Sequence, residues 1–348
     1  MVRTTMRAAA AALLIAFGPE TATAEINGAG STFAHPLMSR WAEAYKAETG
    51  EVVKYQSVGS GAGIKQIERR AVDFGASDMP LKPAELEQMD LIQFPVMIGG
   101  VVPVLNVGAI APGELKLDAA TLVSIFMGRI TKWNAPAIAI LNPAAKLPDL
   151  PIVVVFRSDG SGTTFILTEY LSKMSPEWRE RVGAGTTVKF PTGVGRNGND
   201  GVAQTIGRTA GSIGYVEYTY AKRSSLSYAR VRNSAGEYVL PTAASFQAAA
   251  ASADWSKAPG YYLVLTDQPG AQTWPIAGSV FILMGRSRAD RERIPAALRF
   301  FDWAYRKGGG LADKLDYVTI PTDVQRQIQE SWRGIKTADG QPAWGARP

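Results

Sequence analysis

A chain of 348 residues, 46% hydrophobic and 20% charged, has room for two domains of ordinary size and the makeup of a soluble globular protein. It has no cysteine and a single histidine, which excludes disulfides and a lipid-modified cysteine and argues against a zinc site. The net charge of +6 is scattered rather than gathered into Lys/Arg blocks, which argues against nucleic acid as a partner.

The first two dozen residues stand apart. Arg3 and Arg7 precede an apolar run from Ala8 to Phe17, and Ala22-Thr23-Ala24 has the small-x-small form of a cleavage site. This predicts a secretory signal peptide over 1–24, cut before Glu25, with the mature chain released into the periplasm. The run is too short to span a bilayer. Loss of Arg3, Arg7 and Glu20 leaves a net charge of +5.

The mature chain opens with Gly28-Ala29-Gly30-Ser31-Thr32-Phe33, and a helix is expected over 36–49. Leu37, Trp41 and Tyr45 recur four apart there, and Gly50 supplies the stop. A strand at 52–56 runs into Gly59-Ser60-Gly61-Ala62-Gly63 and a helix over 64–70. Residues 73–80 read as a brief strand ending in an acidic turn at Asp78, followed by a helix over 83–89. Two strands are expected next, at 91–97 and, opened by Gly99-Gly100, at 99–107. A helix over 118–126 precedes the apolar strand 152–156, which feeds Arg157-Ser158-Asp159-Gly160-Ser161-Gly162-Thr163-Thr164-Phe165 and a helix over 165–174. A glycine-rich stretch, 192–201, leads to a helix at 202–208 and a strand at 212–217. Residues 221–270 are polar and turn-rich and suggest no particular element. A long apolar strand at 274–284 and amphipathic helices at 297–306 and 322–334 complete the chain.

Alternating strands and helices argue for an α/β fold with largely parallel sheets. The long strands near 100 and 280 suggest two passes between two lobes, the first made of 25–98 plus 276–348 and the second of 99–275. A single elongated domain is the alternative. No repeat of 20–50 residues is visible.

The stretch 157–165 organises the rest. A glycine-punctuated turn between strand and helix leaves backbone N–H groups without intrahelical partners, where the helix dipole favours an anion. Ser161, Thr163 and Thr164 add hydroxyls, and Arg157 adds a planar fork that matches an oxyanion. A capped helix with Arg157 merely paired to Asp159 is the plainer alternative. The turns at Gly28–Phe33 and Gly59–Gly63 repeat the same logic. Together with Arg157 and the isolated Asp78 they form a set suited to a tetrahedral oxyanion.

Gly28–Phe33, Tyr55–Gly63, Asp73–Pro80 and Asp159–Thr163 resemble the corresponding stretches of the periplasmic phosphate-binding proteins of phosphate-specific ABC transporters. The resemblance continues through Phe94–Val102, Gly198–Gly201, Gly211–Tyr220 and Phe300–Tyr305, and so covers essentially the whole mature chain. It implies a two-lobed periplasmic binding protein fold with the ligand cleft between the lobes. It also implies phosphate contacts at Thr32, Phe33, Ser60, Asp78, Arg157, Ser161, Gly162 and Thr163, with Asp159 pairing with the arginine. Ser31 stands where the family has alanine and adds a possible donor. No cofactor and no catalytic residue are implied. The expected partners are inorganic phosphate and the inner-membrane permease subunits that work with a cytoplasmic ATPase, and the protein is expected to act as a monomer.

Asp78 fits this picture through the ligand's own proton. Phosphate near neutral pH keeps a P–OH that can donate to a carboxylate, whereas sulfate has none and would meet a like charge. A turn or capping role for Asp78 is the alternative. His35, beside the first turn, reads as a solvated surface residue rather than a pH sensor. The stretch 193–201 lacks the lysine of a P-loop and reads as structural, lining the cleft at most. Two other functions compete with the transport receptor. A phosphohydrolase would need a nucleophile with an activating base or metal ions, and a receptor for sulfate or another oxyanion conflicts with Asp78.

Overall fold

Strands and helices alternate from Ile26 onward in the computed structural model, which describes residues 25–108, 110–286, 293–337 and 339–345. The expected signal peptide, 1–24, lies outside the described residues. β1 (Ile26–Gly30), β2 (Val53–Ser57) and β3 (Phe74–Ser77) pair in parallel in the order β2-β1-β3. The helices α1 (His35–Thr49) and α2 (Ser60–Glu68) connect them. α1 buries Leu37, Trp41 and Tyr45, the stripe anticipated from their spacing, and Met38 beside them. Its C-terminus is closed by left-handed Gly50, whose N–H donates to the carbonyl of Lys46.

After α3 (Pro83–Gln88) comes β4 (Leu91–Leu105), one strand of 15 residues where two were expected. Gly99 and Gly100 do not interrupt it. They make room for rings: a Cβ on Gly99 would lie 2.9 Å from the Phe33 ring, and one on Gly100 would lie 2.1 Å from that of Phe246.

The chain then continues beyond β4. β5 (Lys116–Leu117), α4 (Ala119–Phe126) and α5 (Pro136–Leu141) precede β6 (Val153–Arg157). Then come α6 (Gly162–Met174), α7 (Pro176–Arg181), β7 (Val194–Arg196), α8 (Gly198–Arg208) and β8 (Ser212–Glu217). The helices at 162 and 198 start several residues earlier than their apolar periodicity suggests, because glycine, threonine, asparagine and aspartate carry no periodic signal yet occupy the first turns. The stretch without assigned elements holds the second half of α9 (Tyr218–Arg223), with β9 (Ser227–Tyr228), β10 (Arg230–Arg232), β11 (Tyr238–Val239) and α10 (Ala243–Ala251). Strands of two or three residues and an alanine-rich helix show no period to read. β12 (Ala277–Gly285), α11 (Arg293–Lys307), α12 (Gly309–Asp313), β13 (Val318–Thr319) and α13 (Thr322–Ser331) complete the described elements.

The main sheet has the order β2-β1-β3-β12-β4-β8-β6-β7, with β9 and β13 also pairing with β4. Its two ends are parallel, but the middle is not. β12 is antiparallel to both β3 and β4, and β4 is antiparallel to β8. The expectation of largely parallel sheets is corrected there, since the returning chain enters through β12 in the opposite sense. β4 changes partner within its length: Leu91–Gly100 lies against β12, and Val101–Leu105 lies against β8. The register slips between Val280 and Phe281, opposite Pro95, which has no N–H to give.

The core runs along both faces, and Trp41, Trp133, Trp178, Trp274 and Trp332 are fully buried within it. Four of these indoles find carbonyls, at Gly308, Gly211, Gly183 and Val101, while the Trp332 N–H is buried without a partner.

Candidate functional site

The turn after β1 is built by its neighbours. Tyr55, Tyr220 and Tyr317 donate to the consecutive carbonyls of Ser31, Thr32 and Phe33 at 2.8, 2.7 and 2.7 Å. With all three oxygens held on the outside, the N–H groups of Thr32 and Phe33 turn the other way, and neither has a protein acceptor among the described residues. Gly30 makes this tight passage possible: its φ is +143°, and a Cβ would lie 2.0 Å from the carbonyl oxygen of Ala76. The Ser31 hydroxyl accepts from the Ala34 N–H at 3.3 Å. The Phe33 side chain is wholly buried against Tyr317, so only its main chain is offered to the site.

Ser60, the first residue of α2, is the meeting point of the two sides. Its Oγ accepts the N–H of Asp78 at 3.2 Å and that of Gly162 at 3.1 Å. Two N–H donors on one hydroxyl leave its proton free to be given away. One residue on, the Gly61 N–H donates to the carbonyl of Gly160 at 2.9 Å.

Asp78 follows β3 and is 3% exposed. Its Oδ2 receives a long contact, 3.5 Å, from Thr163 Oγ1, and its Oδ1 has no partner. Burial pushes this carboxyl up to about 7, against the opposing pull of the nearby Ser31 hydroxyl, the Arg157 charge and Thr163.

Arg157 ends β6 with its side chain 1% exposed. Its Nε donates to Asp159 Oδ1 at 2.6 Å and its Nη2 to Asp159 Oδ2, while Nη1 is buried without a partner. Burial opposes ionisation of Asp159, but the guanidinium and the Gly198 N–H outweigh it and hold that carboxyl below its ordinary value. Ser161 caps α6 by accepting the Thr164 N–H at 3.0 Å. The fork is thus both paired, as the plainer sequence reading had it, and left with one free corner.

Every residue expected at the site is brought to this one cluster, and Ser161 also caps α6. Sequence reasoning missed Asn199. It lies in the glycine-rich stretch read as structural, yet its side chain reaches Thr32 Oγ1 at 2.7 Å and Thr163 Oγ1 at 3.4 Å. The preceding Gly198 N–H donates to Asp159 Oδ1 at 3.1 Å. The available signal was a fourth strand–turn–helix, β7 into α8, with a side-chain amide in its first turn. His35 is corrected as well. It is half-buried at the start of α1, stacked 6.4 Å from the Tyr55 ring, and burial lowers its pKa, with Asp200 and Arg223 opposing each other nearby.

The cluster therefore presents N–H and O–H donors, one guanidinium corner and one carboxylate oxygen. That is the complement of a small anion with several acceptor oxygens and one acidic proton. Among the described residues no group of three His, Asp or Glu side chains is placed to hold a metal.

Comparison with known proteins agrees with this chemistry. The family model of the PBP superfamily domain matches residues 17–307. The chain is 48% identical to the phosphate-binding protein PstS of Pasteurella multocida over 98% of its own length and 99% of that protein's. The chain belongs to the PstS family of phosphate-binding proteins. The PstS protein of Haemophilus influenzae is likewise 48% identical, over 88% of this chain and 92% of that one. Among solved structures, the ancestral soluble variant of the human phosphate-binding protein aligns with a TM-score of 0.74 at 21% identity, over 93% of this chain and all of that one. The PstS-family fold is thus the two-lobed α/β fold of the periplasmic binding proteins.

Proposed function

We propose that this chain is a high-affinity receptor for one inorganic phosphate ion, which it encloses between its lobes and delivers to the permease of an ABC transporter. The observation that carries this reading is the pair of buried, unpartnered side-chain atoms, Asp78 Oδ1 and Arg157 Nη1, within one cluster of N–H and O–H donors. Leaving a buried acceptor and a buried charged donor unpaired is costly for the protein alone. An anion that bears both P–O⁻ and P–OH satisfies the two together. The carboxyl near 7 is suited to sharing that proton. Thr32 and Phe33 offer N–H groups from one side, Ser60 a hydroxyl, and Gly162 and Thr163 the first turn of α6; Ser31 and Ser161 shape the turns that carry them.

The lobes are taken as 25–98 plus 276–348 and 99–275. The change of partner on β4 at Gly100/Val101 supports this division, as does the bond from the Val101 N–H to the Ile276 carbonyl at 2.9 Å. The protein is exported by cleavage before Glu25, acts in the periplasm as a monomer, and meets permease subunits served by a cytoplasmic ATPase. It is a receptor, not an enzyme: Ser60 Oγ accepts from two N–H groups, and no histidine stands beside it to act as a base.

Calorimetric titration of the mature protein, residues 25–348, with phosphate and with sulfate tests the assignment. Saturable one-to-one binding of phosphate, with sulfate far weaker, is expected. Absence of phosphate binding, or equal affinity for the two anions, would overturn it.

A further inference from the structure

Asn199 is wholly buried, and its two terminal atoms can be told apart. One receives the main-chain N–H of Glu217 at 3.0 Å. An N–H only donates, so that atom is the amide oxygen and the other is the NH₂ group. The NH₂ lies 2.7 Å from Thr32 Oγ1 and 3.4 Å from Thr163 Oγ1. A hydroxyl that accepts from NH₂ directs its own proton elsewhere. For Thr163 the outlet is Asp78 Oδ2. For Thr32 the structure supplies no acceptor among the described residues. Ser60 is set in the same sense, but by the backbone N–H groups of Asp78 and Gly162.

We propose that Asn199 is a positioning residue for the anion site: from the opposite lobe, it holds the Thr32 hydroxyl with its proton directed at the bound oxyanion. The inference rests on the phosphate reading of the site. Thr32 and Asn199 are 167 residues apart in sequence and follow β1 and β7, in opposite halves of the sheet. The hydroxyl is therefore fixed as a donor only when the lobes have come together. With the lobes apart it can turn to water. Selection for an oxygen without a proton is built into this contact, since a P–OH facing Thr32 would meet proton against proton. The P–OH is left to face Asp78.

The test is a double-mutant cycle read by calorimetry with inorganic phosphate on the mature protein. Wild type, Thr32→Val, Asn199→Asp and the double variant are compared. In the wild-type background Thr32→Val is expected to weaken binding about tenfold or more, the loss of a hydrogen bond to a charged group. Asn199→Asp keeps the acceptor for Glu217 N–H but replaces NH₂ by an oxygen, which takes the Thr32 proton for itself. In that background Thr32→Val is expected to weaken binding less than about twofold. Asn199→Asp also weakens binding through its charge, but that contribution is common to both arms and drops out of the comparison. An Asn199 that does not act through the Thr32 hydroxyl leaves the two Thr32→Val losses equal, and equal losses overturn the proposal. If Asn199→Asp does not fold, Asn199→Ala takes its place: the freed hydroxyl is expected to make Thr32→Val clearly less damaging than in wild type, and an undiminished loss overturns the proposal. Failure of the wild type to bind phosphate is a different result, which overturns the phosphate assignment and this inference with it.

Discussion

Gly162 and Asp78 are packed so closely across the cleft that a Cβ on the glycine would lie 2.5 Å from the Cβ of the aspartate, and also 2.5 Å from Ser60 Oγ. Neither neighbour is the loose end of a long side chain. Gly162 opens α6 without a left-handed φ, so alanine there leaves the helix intact and obstructs only the approach of the lobes. Gly162→Ala should weaken phosphate binding by about 1–3 kcal/mol, the range for overpacking. Small-angle scattering should show compaction of the wild type on adding phosphate and little or none in the variant. Equal compaction in both would show that the contact yields without penalty.

Removing the fork is expected to be severe. Arg157→Ala deletes the free Nη1 corner and leaves the Asp159 carboxylate without its guanidinium, still held by the Gly198 N–H. Loss of a charged hydrogen bond corresponds to about 1.5–3 kcal/mol of binding. Arg157→Lys should recover only part of it, because an ammonium cannot hold Asp159 at two points and the ligand at a third. A folded Arg157→Ala protein with an unchanged dissociation constant would remove the residue from the site.

Asp78 is expected to select rather than simply bind. Asp78→Asn keeps the shape, removes the negative charge and adds an N–H donor, while its carbonyl can still accept from P–OH. Phosphate affinity should change modestly and sulfate affinity should rise, so the ratio of the two falls mainly through sulfate. An unaltered ratio would return Asp78 to the role of a turn residue.

Glu217 sets a pH dependence of stability. It is 1% exposed, and burial pushes its carboxyl up to about 8 against its bonds with Thr219 and Tyr317. The Tyr317 hydroxyl also donates to the Phe33 carbonyl, which can only accept, so a protonated Glu217 donating to Tyr317 completes the chain. A raised folded pKa means that the folded state holds the proton more tightly than the unfolded one. The resulting stability is full below the ordinary value of 4.5 and is lost as pH rises towards 8. Glu217→Gln is neutral throughout and should lack this loss. Melting temperatures of the two proteins followed from pH 5 to about 8.5 should therefore diverge, with the wild type falling faster. Asp78 contributes a slope of the same sign to both and cancels in the comparison. Parallel curves would show that Glu217 does not take up a proton on folding.

The groups that touch one another across the cleft were legible because each announces itself locally. Glycine with serine or threonine at a helix start, an arginine ending an apolar strand and an acid after a short strand are all visible within ten residues. Those that act from a distance were not. Tyr55, Tyr220 and Tyr317 look like ordinary core aromatics, and only the fold shows that their hydroxyls converge on three consecutive carbonyls. Asn199 was hidden in a glycine-rich segment with no period. Glu217 had a faint signal, a carboxyl at the end of the buried run Ile213–Val216. The single long β4 was obscured because glycine reads as punctuation, although here it serves as space for two rings.

β4 belongs to both halves of the main sheet, with β12 along its first part and β8 along its last. Neither half can release this strand without stripping an edge from the other. The two halves should therefore be one unit in denaturation: heat or urea is expected to melt them in a single step, and the amides from Ile98 to Leu105 to exchange with deuterium only through opening of the whole molecule. A chain threaded in this way is expected to offer proteases no half-folded form.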